Sequence, residues 1–366
     1  MRRIFAQARK ELTQIARDKL ALALALVLPL VLVLLLSNAI ALTVTDLPLV
    51  VQDFDSSPQS RRLIDAYRGS LSFRIIPWPT DRPADEALAS DTAKAVLIIP
   101  ERFGRDVVRG WPTEVQFLVD ASDANTAKLV HGYSTQITRA FARGSSNERP
   151  LVGAQTRLWY NPGRDSRKFY APGMFVLGIS MFPPLLAALA MSKEGEQKTI
   201  LQVYVSSISA HEFLLGKIAA FMVIALAEWV ISLTAMFVFF DLSFVGDPTP
   251  LIVGTVLYAF CVSAFGTLIG AAIPNQAAAI QAVALGGFLL VFLLSGLIFP
   301  VENIPAGLRW ISNIIWGRYY IQIVRDALLQ GGGWPAMWFS VLMIAVIGGV
   351  FYGIAWLKTR HMQVNA

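Results

Sequence analysis

Residues 20–42 read LALALALVLPLVLVLLLSNAIAL, broken only by Pro29, Ser37 and Asn38. A helix rises about 1.5 Å per residue, and about 20 apolar residues cross roughly 30 Å of hydrocarbon. This stretch is long enough to span. No comparable run follows for about 130 residues, and then five come in close succession, at 173–192, 214–240, 251–273, 277–299 and 337–357. One span, a soluble-looking insert and a five-span bundle form the layout of machinery that moves something, not of a metabolite enzyme. The expected fold is an α-helical polytopic membrane protein of six transmembrane helices, with an extracytoplasmic α/β domain inserted between the first and second spans.

Composition agrees. Of 366 residues 55% are hydrophobic and 15% charged, against roughly 25% charged in a soluble domain. The net charge of +6 is placed beside spans. Arg2, Arg3, Arg9, Lys10, Arg17 and Lys19 precede the first, and Lys358 and Arg360 follow the last. Such flanks are cytoplasmic under the positive-inside rule, which argues against nucleic acid as the partner. Six spans return the C-terminus to the side of the N-terminus, so both termini are expected in the cytoplasm. The single cysteine, Cys261, lies inside an apolar run, which leaves the insert without a disulfide or thiol metal site.

Within residues 1–19, Phe5, Ala8, Leu12, Ile15 or Ala16, and Leu20 recur at helical spacing. The pattern predicts an amphipathic helix lying at the inner membrane surface. Ala39-Ile40-Ala41 resembles a signal-peptidase site, but the apolar run exceeds the usual 7–15 residues, so an uncleaved span is expected. Residues 43–172 change character. Leu49-Val50-Val51 and Ala95–Ile99 read as buried strands, and Val115–Val119 alternates as a strand does. Helical stretches between them start at Ser57-Pro58, Pro100-Glu101 and Asp120/Ser122, giving a small α/β domain. Residues 193–217 and the turn at Pro274-Asn275-Gln276 are expected to face the cytoplasm, 241–250 and 300–336 to face outward, and 358–366 to form a cytoplasmic tail.

Catalytic signatures are missing. Gly216-Lys217 is followed by Ile218 and lacks a phosphate-binding loop, and His211-Glu212 has Leu215 where a second zinc-binding histidine would stand. Gly178-Ile179-Ser180-Met181 ends in Phe182, not in the glycine of a nucleophile elbow. Work against a gradient would draw its energy from a partner or an ion.

Met191–Ile200 is charged and follows a span, and it leads to a helical His211–Lys217. It is similar to the cytoplasmic stretch of ABC-2 type permeases, close to E-[KR]-E-x-G-T-x-E-x-L followed by S-P-x-x-x-x-E-x-x-x-G-K. Glu194, Glu196, Thr199, Leu201, Ser207, Glu212, Gly216 and Lys217 fit that form, while Gly195, Lys198 and Ile208 depart from it. In the family this region touches the ATPase, so the resemblance implies a coupling role for Glu194, Glu196, Thr199, Ser207, Glu212 and Lys217. Ser295-Gly296-Leu297-Ile298-Phe299-Pro300, with Pro305 and then Arg318-Tyr319-Tyr320, resembles the family's S-G-x-x-x-P-x-x-x-[ML]-P segment and R-Y motif. Trp159-Tyr160-Asn161-Pro162 looks like its Y-N-P approach to the membrane. Physically, Ser295-Gly296 loosens a helix and Pro300 and Pro305 stop it. Leu308–Leu329 then reads as an amphipathic helix whose Trp310, Trp316, Tyr319 and Tyr320 favour the interface, with Arg318, Arg325 and Asp326 pairing within it or facing headgroups.

Glu228 is the one acid well inside an expected span. Intramembrane ionisable groups are costly and therefore candidates for transport; the plainer alternatives are a protonated acid bonded to a neighbouring helix and a position near an interface. Gly266 and Gly270 form a small-xxx-small pair suited to helix packing, and Pro29 and Pro183-Pro184 should kink their helices. The resemblance implies the permease subunit of an ABC-2 exporter in a bacterial inner membrane, close to the large-insert multidrug permeases. It would be a dimer with an identical or paralogous chain, bound to separate ATPases that hold ATP and Mg. This chain would carry no cofactor or metal of its own; membrane lipid and a periplasmic adaptor complete the partners considered. Two other readings stay open: an anchored receptor or assembly protein using the insert, and an ion-coupled secondary transporter.

Overall fold

The computed structural model describes residues 2–39, 46–79, 82–90, 92–120, 124–145, 166–198, 208–297, 301 and 304–360. The chain divides into two compact units, Met1–Ile40 with Leu158–Ala366, and Ala41–Arg157.

The first unit is helical. It contains α1 (Arg2–Arg17) and α2 (Lys19–Ala39), separated at Asp18, whose Oδ1 accepts from Ala21 N at 3.0 Å and caps α2. Further along the chain come α7 (Ser166–Glu196), α8 (Ala210–Phe240), α9 (Thr249–Ala272), α10 (Gln276–Leu294) and α13 (Trp334–Thr359). Among the described residues six helices, α2 included, are long and apolar enough to cross a membrane. Their starts are chemically marked. Ser209 and Glu212 form a reciprocal capping box at α8, and Asn275 Oδ1 accepts from Ala278 N at 2.9 Å at α10. The second expected span proves longer than 173–192, since α7 starts at Ser166 and continues to Glu196 through Pro172, Pro183 and Pro184. The fifth is shorter than 277–299, because α10 ends at Leu294 ahead of Gly296, whose φ of 85° a helix does not accept.

The amphipathic stretch 308–329 is not one helix. It forms α11 (Ala306–Ser312), a break, α12 (Trp316–Arg325) and a terminal π turn over Asp326–Gln330. Side chains hold the break: Ser312 Oγ donates to Leu294 O at 2.6 Å, and Arg318 donates to Ser312 Oγ and Asn313 Oδ1. A second π turn, Ala284–Leu289, lies inside α10. The bundle core runs through Met174, Phe175, Tyr258, Val262, Trp316 and Tyr320. Gly266 and Gly270 face α7, where a methyl at either would run into the backbone at Pro184 or Ala188. That contact is the packing role their spacing suggests.

In the second unit, β1 (Leu47–Asp53), α3 (Pro58–Arg68), β2 (Phe73–Ile76), α4 (Ala84–Ala89), β3 (Ala95–Ile99), α5 (Phe103–Arg109), β4 (Gln116–Val119) and α6 (Ala124–Ser145) follow in order. The sheet order is β2-β1-β3-β4, parallel except for the β3–β4 pair. Leu49, Leu97 and Ile99 pack with Leu63, Tyr67 and Phe103 on one face, and Val50 and Val96 pack with Ala84 and Ala87 on the other. Helices on both faces explain why β3 is apolar throughout.

Candidate functional site

Of the residues that fit the family's cytoplasmic stretch, Glu194 and Lys217 come together where α1, the end of α7 and the start of α8 meet. Lys217 on α8 is fully enclosed; its Nζ lies 2.9 Å from Glu11 Oε1 and 3.1 Å from Glu194 Oε2. Lys10 Nζ completes the group, 2.6 Å from Glu194 Oε1 and 3.5 Å from Glu11 Oε1. Two lysines and two glutamates thus close a neutral network among three helices. Gln7 Nε2 donates to Glu11 Oε1 at 2.9 Å, and the Lys217 ammonium lies 5.3 Å from the Phe213 ring centre. The absence of a side chain at Gly216 lets α1 come this close, since a Cβ there would sit 2.6 Å from Gln7 Cβ and 3.0 Å from Ile4 O. Burial pulls the Lys10 ammonium pKa down, but the hydrogen-bonded Glu194 carboxylate and nearby Glu11 outweigh it and leave Lys10 above the ordinary lysine value.

Glu212 stays nearer the surface, holding Ser209 N at 3.0 Å and lying 3.6 Å from Arg3 Nη1. Glu196 turns the other way, accepting from Gln276 Nε2 at 2.7 Å and from Gln276 N at 3.3 Å. Its carboxylate thereby meets the positive end of α10. His211 hydrogen-bonds Tyr352 of α13. The end of α7 and the start of α8 are therefore tied to α1, α10 and α13. Thr199, Leu201 and Ser207 lie outside the described residues.

The resemblance puts Lys217 at the ATPase contact, yet its charge is used inside the chain. Sequence reasoning missed its partner Glu11, and the Lys10 and Gln7 contacts around it, by reading α1 as an amphipathic helix lying on the membrane surface. A signal was present: Glu11 is the one acid in Arg2–Arg17 and shares the stripe of Ala8, Leu12 and Ile15. An acid on an apolar stripe needs a cation.

Glu228 is fully buried in α8, and neither carboxylate oxygen has a hydrogen-bond partner among the described residues. The missing side chain of Gly178 makes room for it, since a Cβ there would lie 3.0 Å from Glu228 Oε1 and 3.0 Å from Pro29 Cβ. A polar cluster crosses the same bundle. Tyr258 and Tyr320 stack at 4.0 Å, Tyr258 bonds Ser180 at 2.5 Å, and Tyr320 bonds Thr255 at 2.8 Å.

Of the aromatic residues expected at the interface, Trp310 is exposed, whereas Trp316, Tyr319 and Tyr320 are packed inside. The break after Ser312 turns their face of α12 onto α7, α9 and α13. Arg318 serves that break, and Arg325 donates to Gly296 O and Leu297 O, both at 3.1 Å, while stacked 4.2 Å from the Phe169 ring centre. Ser295 is buried and Pro305 precedes α11. Pro300 and the Trp159–Pro162 approach lie outside the described residues.

The family model described as "ABC-2 family transporter protein" matches residues 19–357. The chain is 27% identical over 275 residues to the probable multidrug ABC transporter permease YbhS of Escherichia coli strain K12, covering 73% of each chain. It is 24% identical over 367 residues to the probable multidrug ABC transporter permease YbhR of the same strain, 96% of this chain and 98% of that one. To that strain's inner membrane transport permease YhhJ it is 26% identical over 372 residues, 98% and 97% of the two chains.

Proposed function

From the premise that the chain belongs to the ABC-2 transporter family, we propose that it forms the membrane path of an ATP-driven exporter. It acts as a permease subunit and not as an enzyme. Separate ATPase subunits bind ATP and Mg and dock against the segment 193–217. Two such chains, identical or paralogous, enclose the path. The α/β unit stands outside the cytoplasm, where it caps the path or recruits an adaptor, and both termini lie in the cytoplasm of an inner-membrane protein. Drugs or similar amphipathic compounds are the substrate class, which rests on the names of YbhS and YbhR.

The observation that carries this reading is the ion-paired junction of α1, α7 and α8. ATPases that pair or separate beneath 193–217 displace the end of α7 and the start of α8. The Lys217 network transmits that displacement to α1, while Glu196 transmits it to α10. An ATPase state can shift the bundle only by its differential binding to the two arrangements. Exposed groups on the same segment, Glu196 and Lys198, are the contact candidates, because Lys217 is enclosed.

The test is co-purification from the native membrane in mild detergent. A tagged chain should retain a P-loop ATPase and lose it on Glu196→Lys combined with Lys198→Glu. A folded, membrane-inserted chain that retains no nucleotide-binding subunit overturns the proposal and favours the receptor or secondary-carrier reading.

A further inference from the structure

A cleft of about 510 Å³ opens beside the junction, between the α1–α2 turn, the last turns of α7 and Phe221 of α8. That volume falls in the range of small-ligand sites. Its floor is apolar, made by Ile15, Ala21, Leu186, Leu189 and Phe221, and continues into the packed cluster of Ala25, Ala187 and Ile224. Its rim is charged. Among the rim acids, Glu11 and Glu194 are engaged by Lys217 and Lys10, and Asp18 accepts from Ala21 N. Arg17 and Lys193, both exposed, also line the rim and form no ion pair among the described residues. Internal pairing thus leaves two free cations above an apolar floor.

The depth of the cleft is set by its walls. Lys19 opens α2 and Lys193 lies in the last turn of α7, so two spanning helices leave the hydrocarbon at this level. We propose that the cleft binds an anionic phospholipid, with the phosphodiester between Arg17 and Lys193 and the glycerol and upper acyl chain against Ile15, Leu186 and Leu189. A soluble phosphate would have no use for the floor. A zwitterionic headgroup would bring an ammonium to a rim whose acids are already engaged. An occupied cleft joins the α1–α2 turn to α7 beside the Lys217 network, so the lipid reinforces the junction from outside. The inference requires that the six helices cross a membrane; it does not depend on the transport role, which the ATPase co-purification decides separately.

Binding is measured on the purified full chain in neutral detergent, with short-chain phosphatidylglycerol, short-chain phosphatidylethanolamine and glycerol 3-phosphate as probes. Phosphatidylglycerol should bind most tightly, and the pair Arg17→Gln and Lys193→Gln should weaken it about 30-fold, the loss expected of two cations near an anionic surface. The pair Arg2→Gln and Lys358→Gln removes the same charge at residues that do not line the cleft and should leave binding unchanged. Ala21→Trp, which fills the floor and alters no charge, should abolish it, and this variant decides the matter if the double variant does not fold. Equal affinity for phosphatidylethanolamine, equal affinity for glycerol 3-phosphate, or an equal loss in the two charge pairs would overturn the proposal.

Discussion

Lys217 and Glu11 are each held by the other, which makes their single and joint replacement diagnostic. Removing one partner of a buried ion pair costs about 3–5 kcal/mol, whereas replacing the set by apolar groups of similar volume is often neutral. Lys217→Met should therefore lower the melting temperature of the purified chain sharply. Glu11→Met added to it should recover part of that loss, giving a favourable coupling in a double-mutant cycle. Glu228 predicts the opposite pattern. It is enclosed and makes no hydrogen bond among the described residues, so Glu228→Met should leave the melting temperature unchanged or raise it. A large loss of stability would show instead that the carboxyl holds the bundle together. A drop in export by the stable Met variant would place Glu228 in transport.

Helix contacts carry the next level. Gly266 and Gly270 let α9 lie against α7 at Pro184 and Ala188, and overpacking a tight contact typically costs about 1–3 kcal/mol. Gly266→Val should lower the melting temperature, while Gly349→Val, at a helix position with nothing near its Cβ, should not. The attachment of α1 has a pH signature. A lysine pKa raised in the folded state contributes stability that is complete below the unfolded value and is lost as pH rises through the folded one. Protection of α1 from proteolysis should thus stay flat until pH passes the ordinary lysine value of 10.5. The long elements were legible because twenty or so apolar residues have few alternatives, and the capping box at Ser209 is a local signal. The edge strand β2 went unread because the four residues Phe73–Ile76 lack the regular alternation that marked Val115–Val119. The buried face of α12 went unread because an aromatic stripe looks the same toward lipid as toward protein. What distinguishes the two is the break after Ser312, which is held by the nearby Arg318 and by Leu294 of another helix, 18 residues away. The Lys217 network was half legible for the same reason. Glu194 and Lys217 fit a local pattern, but Glu11 lies 206 residues from Lys217.

The molecule as a whole joins two units with separate cores. Residues 41–157 contain a four-stranded sheet with apolar clusters on both faces, and should express alone as a soluble domain with a mixed helix–strand circular dichroism spectrum and cooperative unfolding. An aggregated or unfolded product would show that the unit depends on the bundle. In the bundle, the end of α7 and the start of α8 meet α1 at one junction, where the proposed ATPase motion would enter the spans. The most direct test is hydrogen–deuterium exchange on the chain reconstituted with its ATPase, with and without ATP. The account predicts that protection changes in residues 2–17, in the last turn of α7 and in the first turns of α8. Unchanged exchange in all three while the complex hydrolyses ATP and exports substrate would contradict it.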